Sequence, residues 1–581
     1  MSRLVPAASL DDWGWLKAGI VSGELLVPGD HARSWVFDTI KADRDGPTTH
    51  RLLALANDGR VPVRRTVFEL LAELYWLHPG GWPLMADAAE SALRDEDLPL
   101  RRTAAALLVR TGSTDRAVAA LTASSDPVVR IALMHAISWR PAPDHRAMLD
   151  RLRSDPEPAI RLLAGIATYS SDDPSAWPAL DAAILADLEA SADAGELWAR
   201  ALTGVDREQD CCGWAERLTD PAERQPRRLD GVQMAVAAMR AWRAAPSRLA
   251  SMLTGLLGEE PSEVRSAALR AVASSLTASR LGADGLAAMM DDPEAGAMAA
   301  AALGCVGDHR AVPHLVRLML ADSHEPRLVE AFRAVARAAA DPEAPVAAAR
   351  QMLAAVPDSC APELPMRVLA AFGPAAAAAV PELIARLEGA ENDTPDLAFC
   401  VLGQIGPAAA AAVPQLREYR TRGAMSALFR IAPHRAEAER YLAERPEELR
   451  RDRLASQLLT WLAEHGGLTV RQHRQLRSLF RVPGFEQVES AGALWLHEGP
   501  AVADELLAVL PTYLSDDLHG PKVLQVFAAM GSHARPVLDR LDRFIAARRR
   551  AGFNIGDEDT EMRADEMLLA ATITARERIA G

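Results

Sequence analysis

Cysteine is scarce. Five occur in 581 residues, and Cys211 and Cys212 are adjacent. That spacing builds neither a disulfide framework nor a zinc site. Aromatics make up 5% of the chain. Alternating Val, Ile, Thr and aromatic runs bounded by turn pairs are nearly missing, which excludes a sheet-built domain. No run of about 18 uncharged apolar residues appears, so no membrane insertion is expected. The stretch from Met1 to Lys17 has an acidic pair where a secretory signal needs an apolar segment. A cytoplasmic protein is the expectation. Lysine is almost absent, with Lys17, Lys41 and Lys522 set against 61 arginines and 113 alanines. Alanine and arginine have GC-rich codons, so the composition points to a high-GC bacterium, an actinobacterium in our reading. The formal net charge of −15 disfavours phosphate binding over the whole surface.

What the chain has is helix formers in repeats. Ala, Leu and Arg all favour helix. A core so rich in Ala needs close helix approach, because Ala spans no gap. Stacked helical hairpins provide that approach. The run Gly373-Pro374, five Ala, Val380-Pro381-Glu382-Leu383 recurs 33 residues later as Gly406-Pro407, five Ala, Val413-Pro414-Gln415-Leu416. Degenerate copies start at Gly307 and Gly531. A period near 33 residues fits one hairpin per repeat. Gly406 suits a left-handed helix cap, and Pro407 suits a first helical turn. Pro414 is then expected inside a continuing helix, with a kink.

A second signal opens the partner helices. An acid or Pro precedes a short aliphatic–Arg step at Pro62 to Arg65, Pro99 to Arg102, Asp126 to Arg130, Asp155 to Arg161 and Pro261 to Arg265. Asp before Pro reads as an N-cap followed by a first-turn proline. Arg one turn inside reaches an Asp of the same or next layer.

At these residues the chain resembles the HEAT-repeat family. The run from Asp292-Pro293 through Leu303-Gly304, Gly307-Asp308 and Val312-Pro313 to Leu318 is similar to the family pattern almost end to end, with Ala297 where the family usually has Arg. The resemblance covers about 95–170 and 255–440 well, and 1–90, 175–250 and 445–581 more weakly. It implies an all-α fold, a right-handed α-solenoid of stacked helical hairpins, with a concave face lined by the second helices. A single hairpin cannot bury its apolar face, so stacking supplies the core. The organisation expected is an N-terminal cap over 1–60 with Trp13, Trp15, Trp35 and Phe37, repeats over 61–250 that turn irregular in 175–250, regular repeats over 251–440, and degenerate repeats with a final cap over 441–581.

Catalytic signatures are absent: no Gly-x-Ser-x-Gly, no phosphate-binding Gly-Lys-Ser/Thr loop, no Gly-x-Gly-x-x-Gly. His324-Glu325 and His497-Glu498 are the only His-Glu pairs. Deoxyhypusine hydroxylases, HEAT proteins, hold iron with such pairs. These two do not occupy matching repeat positions, and exposed turn residues are the better reading. Acidic neighbours oppose thiol reactivity at Cys211-Cys212. HEAT-like DNA glycosylases use a basic groove, which the net charge contradicts.

The function expected is a non-catalytic scaffold or adaptor that holds a partner protein or peptide along the concave surface. The alternative is a helical-repeat enzyme, a HEAT-like DNA glycosylase or a metal-dependent hydroxylase. No cofactor or metal is expected, and a protein partner is favoured over nucleic acid. The partner-binding candidates are Arg65, Arg102, Arg130, Arg161 and Arg265 near helix starts, and the stripe Arg471, Arg474, Arg477 and Arg481 on one helix face. Against them stand inter-repeat Asp–Arg ladders for the first group, the stronger reading, and a solvated face for the second.

Overall fold

Helix starts follow the sequence signals. In the computed structural model, Asp97 caps a helix by accepting from the Leu100 N–H at 3.0 Å, with Pro99 in the first turn. Asp126 accepts from Val128 N–H at 2.9 Å, and Asp292 from the Glu294 and Ala295 N–H groups, both at 2.9 Å. Each acid satisfies a donor that the first helical turn leaves orphaned. The structure describes residues 19–20, 31–77, 82–111, 114–138, 145–169, 173–259, 262–355, 363–388, 396–419, 421–449, 452–553 and 557–581. Trp13, Trp15 and Trp139 lie outside them, as does the Trp35 side chain. Among the described residues every regular element is a helix, and one isolated bridge joins Trp242 to Arg549.

The chain divides into two units, residues 1–207 and 208–581. The division falls within 175–250, the stretch expected to be irregular. Each unit is an α-solenoid stack in which alternate helices form one close row. In the first unit the row is α1 (Val61–Leu77), α2 (Leu98–Arg110), α3 (Pro127–Ser138), α4 (Pro158–Thr168) and α5 (Ala194–Gly204), each packed on the next. In the second unit it is α6 (Gln225–Ala241), α7 (Ser262–Ser274), α8 (Gly296–Cys305), α9 (Leu328–Arg337), α10 (Glu363–Phe372), α11 (Asp396–Ile405) and α12 (Arg422–Ile431). It continues through α13 (Arg453–Glu464), α14 (Phe485–Glu498), α15 (Gly520–Met530) and α16 (Glu558–Ala580). Between α12 and α13, Phe429 meets Trp461 edge-on at 5.1 Å. The remaining helices form the second row.

Small residues set the spacing, as the Ala content requires. Ala299, Ala300, Ala301 and Ala302 of α8 are fully buried. A Cβ on Gly304 would stand 2.8 Å from the Ala331 Cβ of α9. Trp82, Trp198 and Trp242 are buried in the cores, so packing claims much of the aromatic supply.

The Ala runs fold differently from the sequence reading. Gly373–Ala379 and Gly406–Ala412 are 3₁₀ turns, entered at Gly406 with φ +71°. Pro414 does not kink a continuing helix. It sits in the first turn of a new one, Val413–Leu416, where its missing N–H is harmless. The stretches Glu363–Leu387 and Asp396–Leu416 are long and apolar enough to cross a membrane by length and composition alone. About half of each is packed inside the protein, and each is broken by its 3₁₀ turn.

Candidate partner-binding groove

The arginines near helix starts form a ladder. Arg64 donates to Asp95 of the next layer at 2.7 and 3.0 Å, and to the Asp58 carbonyl at 2.9 Å. Arg161 repeats this with Asp187 at 2.7 Å and the Asp155 carbonyl at 2.9 Å. Arg130 pairs with Asp155, and Arg265 with Asp292 at 3.6 Å. Burial pushes the Asp95 and Asp155 carboxyls up. Arg64 and Arg130, with help from backbone N–H groups, outweigh it and hold both below the ordinary carboxylate range. Arg130, Arg161 and Arg265 therefore spend their charge within the stack.

The doublets Arg64-Arg65 and Arg101-Arg102 split between two faces, since one residue turns a helix by about 100°. Arg64 and Arg101 take the ladder position, each donating to the carbonyl six residues back. The sequence reading chose the second Arg of each doublet and missed the first. Arg65 still finds an acid, Asp97 of the next layer, at 2.8 Å. Arg102 does not. The residue matching Asp97 one layer on is Asp126, four before Arg130 as Asp97 is four before Arg101, yet none of the described residues gives Arg102 a hydrogen bond or ion pair. The rung is broken at Arg101 too: its Nε is buried without a partner, and Ser124 stands where Asp95 pairs Arg64 and Asp155 pairs Arg130.

At this broken rung lies a groove of about 1050 Å³. Helices α1, α2, α3 and α5 and the turn 190–193 line it. Its floor is apolar and half-buried: Ala72, Ala106, Val128, Ile131 and Ala132. Glu69 and Glu73 of α1 stand at one wall. His135, Asp193 and Arg200 stand at the other, His135 Nε2 lying 3.1 Å from Asp193. Arg102 is exposed over this floor. Among the described residues the groove offers one unspent cation, Arg102, beside an apolar floor.

The stripe on Val470–Phe480 is largely engaged with its neighbours. Arg471 donates to the Arg445 carbonyl at 2.7 Å, closing the end of a preceding helix. Arg474 lies 3.5 Å from Glu447. Arg477 clasps Glu498 and Glu505. Arg481 is exposed at the helix end.

The His-Glu pairs do not converge. Glu498 accepts from Arg477 at 2.8 Å and lies 2.6 Å from His473 Nε2, while Glu325 faces Arg327 at 3.5 Å. Among the described residues no group of three His, Cys, Asp or Glu side chains is placed to hold a metal. Cys211 and Cys212 are buried, and burial pushes the Cys212 thiol up to about 11.

No protein-family model matches the sequence, and no curated protein matches it. Among solved structures the chain is similar to a mutant of Kap121p, at 12% identity and a TM-score of 0.36, over 98% of this chain and 69% of that one. It is also similar to Kap121p bound to Nup53p, at 10% identity and a TM-score of 0.34, over 99% and 69%. A third is importin beta, at 12% identity and a TM-score of 0.39, over 96% and 82%. The fold described above rests on the helix order and packing of this chain, not on these likenesses.

Proposed function

We propose that the protein is a non-catalytic, cytoplasmic scaffold that binds a segment of a partner protein in the groove of the first unit. The groove is the concave side of the α1–α5 row in this reading. The observation that carries it is Arg102, a guanidinium with no partner among the described residues, over an apolar floor in a stack that pairs the corresponding Arg65. A partner segment that lays an apolar side chain on Ile131 and Ala132 and a carboxylate on Arg102 satisfies both features. Rigid helices hold the surface open, so little ordering entropy opposes binding.

The test is affinity capture from the native host with mass spectrometry, followed by titration of the recovered partner. Arg102→Glu and Ile131→Asp are each expected to weaken binding at least about tenfold. Arg474→Glu, outside the groove, is expected to leave it unchanged. Folded groove variants that bind the same partners as tightly as the native chain would sink the proposal. Fractionation of the host tests the location.

A further inference from the structure

The second unit joins its last helix to its first hairpins. Helix α16 packs on α15 and on Leu538–Ala546, and also on α6, α7 and the short helix Leu276–Leu281. The two attachments differ in chemistry. Toward α15 it is apolar: Leu568, Ala575 and Ile579 belong to one buried cluster with Val523, Leu524 and Phe527. That cluster contains no residue of α6, α7 or Leu276–Leu281.

Toward the first hairpins the seam carries ion pairs beside two buried apolar side chains, Met562 of α16, which lies outside that cluster, and Trp242, bridged to the strap at Arg549. Arg240 holds Glu558 at 2.6 Å and Asp559 at 2.7 Å. Arg243 meets Asp565 at 2.6 and 3.0 Å. Arg550, on the strap before α16, crosses the seam to the Met239 carbonyl at 2.6 Å, while it holds Asp565 and Glu566 within the clasp itself, both at 3.1 Å. Glu566 accepts from the Ser275 hydroxyl and the Leu276 N–H, both at 2.6 Å. The strap adds two backbone bonds, Arg243 N–H to the Arg548 carbonyl at 2.9 Å and Arg550 N–H to the Ala241 carbonyl at 3.1 Å. Asp565 is fully buried and the Arg243 and Arg550 side chains nearly so.

An apolar seam that opens exposes greasy surface to water. An ionic one regains the hydration of every charge it frees, so a buried ion-pair network adds little net stability once both sides are wetted together. We propose that α16 and the strap 548–551 are an ionic clasp: the seam opens as a unit and bares the faces of α6 and α7, while the apolar attachment to α15 stays shut. The vacated face carries Arg240 and Arg243 and suits an acidic helix. The clasp therefore gates that face against other acidic segments. It involves no residue of the Arg102 groove, so its test is separate from that of the scaffold reading.

The test is hydrogen exchange of the full-length protein, read by mass spectrometry at about 0.1 and 1 M salt. Peptides covering 239–245, 274–278 and 548–551 are expected to exchange about tenfold faster at high salt, with peptides of α15 unchanged. Arg240→Glu is expected to give the same acceleration at low salt, and adding Glu558→Arg with Asp559→Arg to reverse it. Seam and α15 peptides exchanging together, or a seam indifferent to both salt and charge reversal, would overturn the proposal.

Discussion

Single carboxylates decide much of the ladder. Asp95, Asp97 and Asp155 all have depressed pKa values, with Arg65 the main cause at Asp97. A depressed carboxylate contributes stability that is full above its unfolded value, near 4, and is lost as pH falls through its folded value. Melting temperature is therefore expected to fall on acidification below about pH 4. Asp95→Asn is expected to cost about 1–3 kcal/mol at neutral pH and to flatten that acid limb. Thermal melts across the range check both, and an unaltered limb would count against the ladder. Thiols give a second residue-scale prediction. Cys211, Cys212 and Cys305 are buried and Cys400 is exposed. Burial pushes the Cys305 thiol up to about 12. Peptide mapping after alkylation of the native protein is expected to find label at Cys400 and none at the other three. Label at Cys212 would contradict the packing around α6.

Within elements, backbone spacing is the governing quantity. Gly304 lets α8 approach α9 so closely that an added methyl would meet the Ala331 and Leu315 side chains at 2.8 and 2.9 Å. Gly304→Ala is expected to destabilise by about 1–3 kcal/mol through overpacking. Gly492 in α14 is the control, because its added Cβ would sit 3.8 Å from Val526, an ordinary contact. Gly492→Ala is expected to stabilise by about 0.5–1 kcal/mol through helix propensity. Urea unfolding of the two variants checks the contrast; equal effects would mean that the α8–α9 distance is not set by Gly304. The same scale explains Pro414. The left-handed Gly406 turns the chain before the Ala run, and the proline then opens a helix instead of bending one.

For the whole molecule, the division between Arg207 and Glu208 matters most. Each side anchors its own end. Arg207 donates to Asp181 at 3.1 Å and lies 4.9 Å over the Trp177 ring, while Glu208 accepts from Arg548 at 2.8 Å. Each unit buries its own core, so unfolding is expected in more than one transition. Calorimetry should give a van't Hoff enthalpy below the calorimetric one. A ratio of one would show a single cooperative block.

Local chemistry was enough to give helices, caps and the stacked hairpins, because capping acids, first-turn prolines and Ala-rich stripes act over a few residues at a time. The Asp–Arg ladder was legible for the same reason, though not its individual pairs such as Arg130 with Asp155. Which arginine of each doublet takes the ladder position was not legible, since a turn of about 100° separates them and only the next layer says which side is occupied. Ser124 standing where an acid would pair Arg101 is a fact about two layers at once. The clasp lies further still from sequence reasoning: Arg243 and Asp565 are 322 positions apart. Only the path of the stack brings them together, because curvature accumulates over every layer between them and is written in no one of them.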